Sequence, residues 1–331
     1  MRSYLIKRLL LIFPTLFGIT IITMLIIQLA PGDPTRIRAG TEAVLRSDEQ
    51  IDKESYEIIR KQFHLDKPFL ARYGLWVCDL VQFKFGISIK DRRPVIDKIA
   101  EALPVTIRLN VISIFLIYLI SIPLGVHSAT HQNSLRDRVI TVVLFVLYSL
   151  PSFWVAIMLI LLVGRGGELE LLPFYGLTVE RPQDFTTLGL IWETLLHYVL
   201  PVFCLTYGGL AFLSRYARAS LLEVIRQDYI RTARAKGLAE RAVIFKHALR
   251  NSLIPLVTLF ATLLPVMIGG SVIVEQIFSI PGMGRLGFES VLARDYPTIM
   301  GVATMAALLT LAGILISDVL YAVVDPRITF K

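Results

Sequence analysis

Six long apolar stretches divide this chain of 331 residues, and they constrain its fold more than any other feature. None of them contains Asp, Glu, Lys or Arg, although the fourth contains His197. A helix needs about 20 apolar residues to cross a bilayer core of roughly 30 Å. Lipid cannot hydrogen-bond the backbone, so such spans should be helices, whereas a barrel would show shorter alternating segments. The six stretches are Leu9–Ala30, Leu109–Val126, Val139–Gly164, Thr194–Ser214, Asn251–Val274 and Pro297–Ser317.

The distribution of charge predicts the orientation of these spans. The net charge is +8, and residues 215–250 alone hold nine Lys or Arg against three Asp or Glu. The N-terminus and the short loop 127–138 are also basic. Because short loops rich in Lys and Arg stay in the cytoplasm, both termini are expected there. Topology thus accounts for the positive charge, and nucleic acid is not expected as a partner.

The sequence therefore predicts an all-α integral membrane protein with six transmembrane helices. Residues 1–30 hold the N-terminus and the first span. Residues 31–104 form a long segment whose charges are nearly balanced. Long loops translocate largely regardless of charge, so this segment is expected on the extracytoplasmic side of the membrane. Residues 105–331 form a core of five helices with a cytoplasmic coupling segment at 215–252.

The outer segment is expected to be helical. Ser47 and Gln50 fit a capping box ahead of a rough apolar face that ends near Phe63. A second amphipathic piece runs from Tyr73 to Phe85 and is closed by Gly86. Its aromatic residues either rest on the membrane surface or form a small core on the span ends. These residues are Trp76, Phe83 and Phe85.

Several spans contain proline, which membrane helices tolerate when neighbours satisfy the freed carbonyls. The prolines are expected to make static bends in their helices. Gly269-Gly270 is expected to allow close helix approach or bending. The first span ends at Ala30-Pro31-Gly32-Asp33-Pro34, which predicts a turn. The prolines inside spans are Pro123, Pro151, Pro255 and Pro265.

The chain carries no motif for bond chemistry. It has no G-x-x-x-x-G-K-[ST] sequence, and Pro281-Gly-Met-Gly284 lacks the lysine of a phosphate loop and is expected to be a turn. Its five histidines show no metal-binding spacing, so neither catalytic residues nor a bound metal or cofactor are expected.

Charges are also absent from the span centres, where ion-coupled transporters usually keep them. The nearest are Arg108 at the start of the second span and Asp318 at the end of the sixth, where Asp318 is expected to pair with Arg327. This favours an external energy source over an ion-coupled secondary transporter or a membrane scaffold, which are the alternatives.

The coupling segment is too charged for lipid and too patterned for a plain linker. Asp228 is expected to cap a helix that runs to Lys236, and Gly237 suits the left-handed position that ends it. A second helix from about Glu240 continues into the fifth span. Small residues let another protein approach closely, so this helix–glycine–helix segment is suited to receiving a force from a partner on the cytoplasmic side. The alternative is an ordinary basic loop held near anionic lipid. The small residues are Thr232, Ala233 and Ala235.

The sequence Asp228-Tyr-Ile-Arg-Thr-Ala-Arg-Ala-Lys-Gly-Leu238, followed by Lys246-His-Ala-Leu-Arg-Asn-Ser-Leu-Ile-Pro255, resembles the EAA loop of ABC-importer permeases. The general pattern is E-A-A-x3-G-x9-I-x-L-P. Ala233, Gly237 and Leu249 match it. Arg231, Thr232 and Arg250 depart from it in the manner of the dipeptide, oligopeptide and nickel branch.

Four other segments resemble the first, or "B", permease of that branch, so the similarity covers nearly the whole chain. They are Arg8 to Pro34, Phe85-Gly-Ile-Ser88 with Arg93-Pro94, Phe278-Ser-Ile-Pro-Gly-Met-Gly-Arg285, and Arg294-Asp-Tyr-Pro297 through Asp325-Pro-Arg-Ile328.

The resemblance implies a type I ABC-importer permease in the bacterial inner membrane, importing di- or oligopeptides or, alternatively, nickel or another small solute. It implies four kinds of partner: a second related permease, two ATP-binding subunits that hold ATP and Mg, an extracytoplasmic solute-binding protein, and the bilayer. The ATPase-coupling residues would be Asp228, Tyr229, Arg231, Thr232, Ala233, Arg234, Ala235, Lys236, Gly237 and Leu238.

Overall fold

The computed structural model describes residues 2–29, 66–179, 181–263 and 270–324. Within these ranges the regular structure is helical, and the only strand-like pairings are isolated bridges between Ile87 and Pro94 and between Gly164 and Leu172. The prediction of an all-α protein is confirmed for this part of the chain. The predicted turn at 30–34, the capping box at Ser47, the helix ending near Phe63, and Pro265, Gly269 and Arg327 lie outside the described residues.

The helices are α1 Arg2–Leu29, α2 Phe69–Val81, α3 Val95–Thr130, α4 Leu135–Ser149, α5 Ser152–Val163, α6 Thr187–Ile225, α7 Asp228–Ala235, α8 Glu240–Ala242, α9 Leu249–Ser252, α10 Ile254–Leu263, α11 Val272–Ile277, α12 Met283–Leu292 and α13 Tyr296–Val324. A π-helical segment, Val243–Ala248, joins α8 to α9, and a short 3₁₀ turn spans Pro182–Asp184.

Four helical segments are each long and apolar enough to cross a membrane. They lie in α1, α3, α6 and α13, where the sequence predicts the first, second, fourth and sixth spans. Two bent pairs, α4 with α5 and the Glu240–Ser252 segment with α10, pass the same test together, which allows up to six spans. The chain is therefore a multi-span membrane protein.

The predicted third span is bent at Pro151, as expected, but the bend is sharp enough to divide it into two helices. Helices α4 and α5 meet at an angle of 101° at Leu150-Pro151. Leu150 is extended, at φ −83° and ψ 129°, because a residue before proline is restricted away from the helical region. The carbonyl of Leu150 accepts a hydrogen bond of 2.8 Å from the hydroxyl of Tyr207 on α6. A side chain of a neighbouring helix thus satisfies a backbone carbonyl at the break between α4 and α5.

The predicted fifth span is also interrupted, by a bend of 42° between Ser252 and Ile254. The hydroxyl of Ser220 donates to the Ser252 carbonyl at 2.9 Å, and that of Tyr118 donates to the Leu256 carbonyl at 3.0 Å. Pro255 lies in the first turn of α10, where it removes a backbone donor that the preceding helix would otherwise use. Side chains of α3 and α6 therefore hold this break.

The chain divides into two compact units. The larger comprises residues 1–6, 103–285 and 309–331, and its main core gathers around Phe278, Leu200 and Tyr207. The smaller comprises residues 7–102 and 286–308. In the smaller unit Tyr73 of α2 packs against Met24 of α1 and Met300 of α13.

Helix α2 begins at Phe69 and ends at Val81, so each end lies four residues before the predicted bound. Pro68 occupies the N-cap position and fixes where the helix begins. Gly86 follows with φ +82°. Trp76 packs against the Tyr73 cluster and Phe85 is buried, so these two rings belong to a small core, which was one of the two predicted alternatives. Phe83 remains 76% exposed.

Candidate functional site

The predicted coupling helix is present as α7, which follows α6 after a two-residue turn. Asp228 is its first helical residue rather than its cap, so that prediction is wrong. The cap position belongs to Gln227, which is extended and makes no side-chain capping bond. Asp228 instead lies 3.4 Å from Arg231, and its carbonyl accepts a 3.0 Å hydrogen bond from the hydroxyl of Thr232. An acidic residue in the first turn still favours the helix dipole.

Gly237 ends α7 as predicted. Its φ is +74°, the left-handed region that glycine enters without steric cost. The Gly237 N–H donates to the Arg234 carbonyl at 2.9 Å, and the Leu238 N–H donates to the Ala233 carbonyl at 3.4 Å. These two bonds form a Schellman motif, which closes a helix and reverses the chain. A Cβ added at Gly237 would meet open space, so only the backbone conformation requires glycine within this chain.

Two side-chain contacts fix the angle between α7 and the helical run that follows it. The guanidinium of Arg234 donates to both carboxylate oxygens of Glu240, at 2.6 and 3.0 Å. The amide of Asn251 donates to the hydroxyl of Tyr229 at 2.8 Å. The first contact crosses the turn at Gly237, and the second ties α7 to α9. We call residues 226–252, with these contacts, the elbow.

The inner side of the elbow is apolar. Ile230 is fully buried and Ala233 is 8% exposed. Both belong to a cluster with Leu221 of α6, Val243 of the π segment and residues near the end of α3. The small size of Ala233 therefore lets α7 lie close to its own chain. Ile230 was not among the predicted coupling residues, although an apolar pair spaced i, i+3 predicts a buried helix face.

The outer side of the elbow is polar and basic. Ala233 is the only one of the ten predicted coupling residues that the structure buries in the chain itself. Three cations and one carboxylate lie among the other nine, and Glu240 offsets one of these cations. The exposed residues are Asp228, Tyr229, Arg231, Thr232, Arg234, Ala235, Lys236, Gly237 and Leu238.

A buried ion pair connects α6 to the start of α4. Arg218 donates to the carboxylate of Asp137 at 3.0 Å, and the Asn133 N–H donates to the same oxygen at 3.0 Å. Ser134 caps α4 by accepting from the Asp137 N–H at 3.2 Å. This ion pair was not predicted, although Ser134 and Asp137 have the spacing of a capping box. The α3–α4 turn is thereby held against the helix that leads into the elbow.

The turn at Pro281–Gly284 is built around a buried carboxylate. Glu275 is 2% exposed and accepts from the hydroxyl of Thr106 at 3.0 Å and from the Arg285 N–H at 2.9 Å. A Cβ added at Gly282 would lie 2.5 Å from the Glu275 carboxylate, so only glycine fits there. Pro281 and Gly282 form a bend ahead of α12, which begins at Met283, so the predicted turn is present only over its first two residues. Glu275 occupies the space that a ligand of such a loop would need.

Two segments that carry the family resemblance meet in the smaller unit. Asp295 is fully buried and accepts from the hydroxyl of Ser88 at 2.5 Å and from that of Thr298 at 2.6 Å. The ammonium group of Lys98 lies 3.7 Å from Asp295 and 2.8 Å from Asp91. Burial alone would raise the pKa of Asp91, but hydrogen bonds from Lys98 and Ser88 lower that pKa to about 2.

The histidines have structural surroundings. The rings of His127 and His131 stack at 4.5 Å, and Nδ1 of His197 lies 3.2 Å from the carbonyl of Gly176. Within the described ranges no three His, Cys, Asp or Glu side chains are grouped to hold a metal ion. The described histidines therefore form no candidate metal centre.

Comparison with known proteins bears on the whole chain. Residues 121–330 match the family "Binding-protein-dependent transport system inner membrane component", and residues 1–110 match the N-terminal family of the same membrane components. The oligopeptide transport system permease protein AppB of Bacillus subtilis is 40% identical over 331 residues. The alignment covers all of both chains.

Two further relatives align over the full length of both chains. They are the dipeptide transport system permease protein DppB of Alkalihalophilus pseudofirmus, at 35% identity, and the glutathione transport system permease protein GsiC of Escherichia coli K12, at 36%. The resemblance to the peptide branch of ABC-importer permeases is thereby confirmed. This multi-span chain belongs to the family of inner membrane components of binding-protein-dependent transport systems.

Proposed function

We propose that this chain is the transmembrane permease subunit of an ATP-driven importer of di- or oligopeptides, and that its elbow receives the force of ATP hydrolysis. The geometry of the elbow carries this proposal. Its inner side is packed into the spans through Ile230, its angle is fixed by Arg234 with Glu240, and its outer side is exposed. A push on α7 would therefore move α6 and the fifth span.

The proposed assembly contains a second related permease, with which this chain forms the translocation path. Two ATP-binding subunits carry ATP and Mg, and this chain binds no cofactor and performs no bond chemistry. An extracytoplasmic solute-binding protein delivers the substrate. Both termini and the elbow lie in the cytoplasm of a bacterium, with six spans in the type I permease fold. The basic charge of 215–250 supports this orientation.

The names of the relatives support peptides as the substrate class. AppB is named for oligopeptides, DppB for dipeptides and GsiC for glutathione, which is itself a tripeptide. Transport alternates between two states whose relative energy the ATPases bias. Rigid contacts at the elbow suit this role, because a flexible link would absorb the displacement.

The test is reconstitution of the complex in proteoliposomes, with uptake of a labelled dipeptide, a labelled tetrapeptide and nickel measured in parallel. Peptide uptake that requires ATP and survives collapse of the ion gradient is expected. Gly237→Leu should leave membrane insertion intact and abolish peptide-stimulated ATP hydrolysis. Gly237→Asn is the matched control, since asparagine also adopts the left-handed conformation. Normal coupled transport by the leucine variant would rule out this role for the elbow.

Orientation is tested separately with reporter fusions in the two turns of the larger unit. A reporter after Asn133 should be cytoplasmic, and one after Gly166 should be extracytoplasmic. The opposite result would place the elbow outside and exclude ATPase docking.

A further inference from the structure

A groove on the surface of the spans combines one cation with four aromatic rings. It lies between α4 and α6 of the larger unit and has a volume of about 400 Å³. Phe145 and Tyr148 of α4 form one wall, and Phe212 and Tyr216 of α6, whose rings stack at 6.2 Å, form the other with Arg215. All four rings are exposed. The proposed coupling mechanism does not use this groove.

Two arginines that lie one turn apart on α6 differ in their surroundings. Arg218 is paired with Asp137 at 3.0 Å. Arg215 is exposed and has no ion pair or hydrogen bond among the side chains that the structure describes. An exposed cation beside membrane-spanning helices attracts an anion, because charge in an apolar environment is costly unless it is compensated.

The groove is charged at one end and apolar at the other. The pair of Arg218 and Asp137 marks the level at which α4 begins. With a rise of about 1.5 Å per residue, Arg215 lies about 4.5 Å deeper along α6, Phe212 about 9 Å deeper, and Phe145 about 12 Å deeper along α4. The cation is therefore nearer to the level at which α4 begins than most of the aromatic wall, and a phospholipid molecule has the same order of charged and apolar parts.

We propose that this groove binds one membrane phospholipid with an anionic headgroup. The headgroup phosphate contacts the Arg215 guanidinium, and an acyl chain lies along Phe212 and Phe145. Guanidinium forms charge-assisted hydrogen bonds with phosphate, and basic pockets between transmembrane helices bind anionic headgroups. A second permease subunit that placed an acidic side chain against Arg215 would fill the same groove, and the test separates that outcome.

The experiment uses the full chain purified with its partner subunits in detergent. The midpoint of thermal unfolding is measured against added dioleoyl phosphatidylglycerol, dioleoyl phosphatidylcholine, or glycerol 3-phosphate. Phosphatidylglycerol is expected to stabilise the complex at lower concentration than phosphatidylcholine, because only its headgroup carries net negative charge. Glycerol 3-phosphate, which has no acyl chain, is expected to have no effect at the same concentrations.

Variants assign the effect to the groove. Arg215→Gln should weaken the apparent affinity for phosphatidylglycerol about five-fold and leave that for phosphatidylcholine unchanged. Arg215→Lys keeps the charge and should keep the preference for phosphatidylglycerol. Phe145→Ala should weaken the apparent affinity for both lipids. Arg226→Gln is the matched control, since it removes the same charge from the exposed residue that follows α6 and begins the elbow, outside the groove.

Three results would overturn the proposal. The wild-type complex could respond equally to both lipids, Arg215→Gln could behave like Arg226→Gln, or Arg215→Lys could lose the preference. Loss of the second permease from the Arg215→Gln complex, with lipid affinity unchanged, would identify the groove as a subunit interface and would also overturn it. None of these results would alter the proposed role of the elbow.

Discussion

Arg234 and Glu240 form a two-point ion pair across the turn at Gly237, with donor–acceptor distances of 2.6 and 3.0 Å. Arg234 lies near the end of α7, and Glu240 is the first residue of α8. The pair therefore joins the two arms of the elbow at the point where the backbone reverses. Both side chains are partly exposed, so the contact contributes more to geometry than to stability.

The first prediction concerns this pair. Glu240→Gln should lower peptide-stimulated ATP hydrolysis by up to about five-fold, because an exposed ion pair contributes at most about 1 kcal/mol to the fixed angle. The unfolding midpoint should hardly change. The measurement is ATP hydrolysis by the reconstituted complex with and without peptide and binding protein.

The control is the charge exchange Arg234→Glu with Glu240→Arg, which should restore part of the loss. If each single variant and the exchange all behave as wild type, the pair does not set the angle of the elbow.

The second prediction concerns the buried anchor of α7. Ile230→Ala should free α7 from the spans, since removing a fully buried isoleucine side chain costs about 2–5 kcal/mol. Amide hydrogen exchange of residues 228–235 should accelerate at least about ten-fold, as expected for local opening of a weakened segment. Lys236→Ala is the matched control because Lys236 is exposed. Equal exchange in the two variants would show that α7 is not held by this cluster.

The elbow was predictable because its determinants are local. A glycine after a short amphipathic helix predicts a left-handed C′ residue whatever the tertiary context, and Gly237 adopts φ +74°. The burial of Ala233 against its own chain was not predicted, because the small size of alanine suits either close approach by a partner or packing within the chain. Only the position of α6, which places Leu221 beneath it, decides between them.

Other features depend on residues far apart in sequence. The carboxylate of Asp295 accepts a hydrogen bond from the hydroxyl of Ser88, which lies 207 positions earlier in the sequence. No local sequence pattern indicates this contact. The bend at Pro151 was expected, but its angle of 101° was not. Proline removes a backbone donor and restricts the residue before it, but neither effect sets the angle, whereas the position of Tyr207 on α6 helps decide how far the chain can turn.

The third prediction concerns pH and the ion pair of Asp91 with Lys98. The folded-state pKa of Asp91 is about 2, below its usual value of 3.8, so the ionised carboxylate stabilises the fold at pH values above 3.8. Asp91→Asn should lower stability at pH 7 by about 1 kcal/mol, a figure that allows for solvent around Asp91. The difference from wild type should persist to about pH 5 and disappear as the pH falls from about 4 to about 2.

The check is the unfolding midpoint of both proteins at a series of pH values, with Asp97→Asn as a control that removes an exposed carboxylate of α3. A difference that grows as the pH falls would contradict the prediction, because the pKa of Asp91 would then be raised in the folded state.

The last prediction concerns the break in the third span. Tyr207 is 3% exposed, and its hydroxyl is the donor at 2.8 Å to the carbonyl of Leu150, the extended residue at the break between α4 and α5. Tyr207→Phe keeps the ring but leaves this carbonyl unpaired, which should destabilise the protein by about 1–2 kcal/mol. Tyr198→Phe, on the same helix, removes a hydroxyl that makes no hydrogen bond within the described residues. This control should destabilise the protein less than Tyr207→Phe does. The measurement is the unfolding midpoint in detergent together with hydrogen exchange of residues 147–155. Because the bond acts at the break itself, exchange should rise there first, and a loss of stability without that local rise would mean that Tyr207 acts through core packing instead.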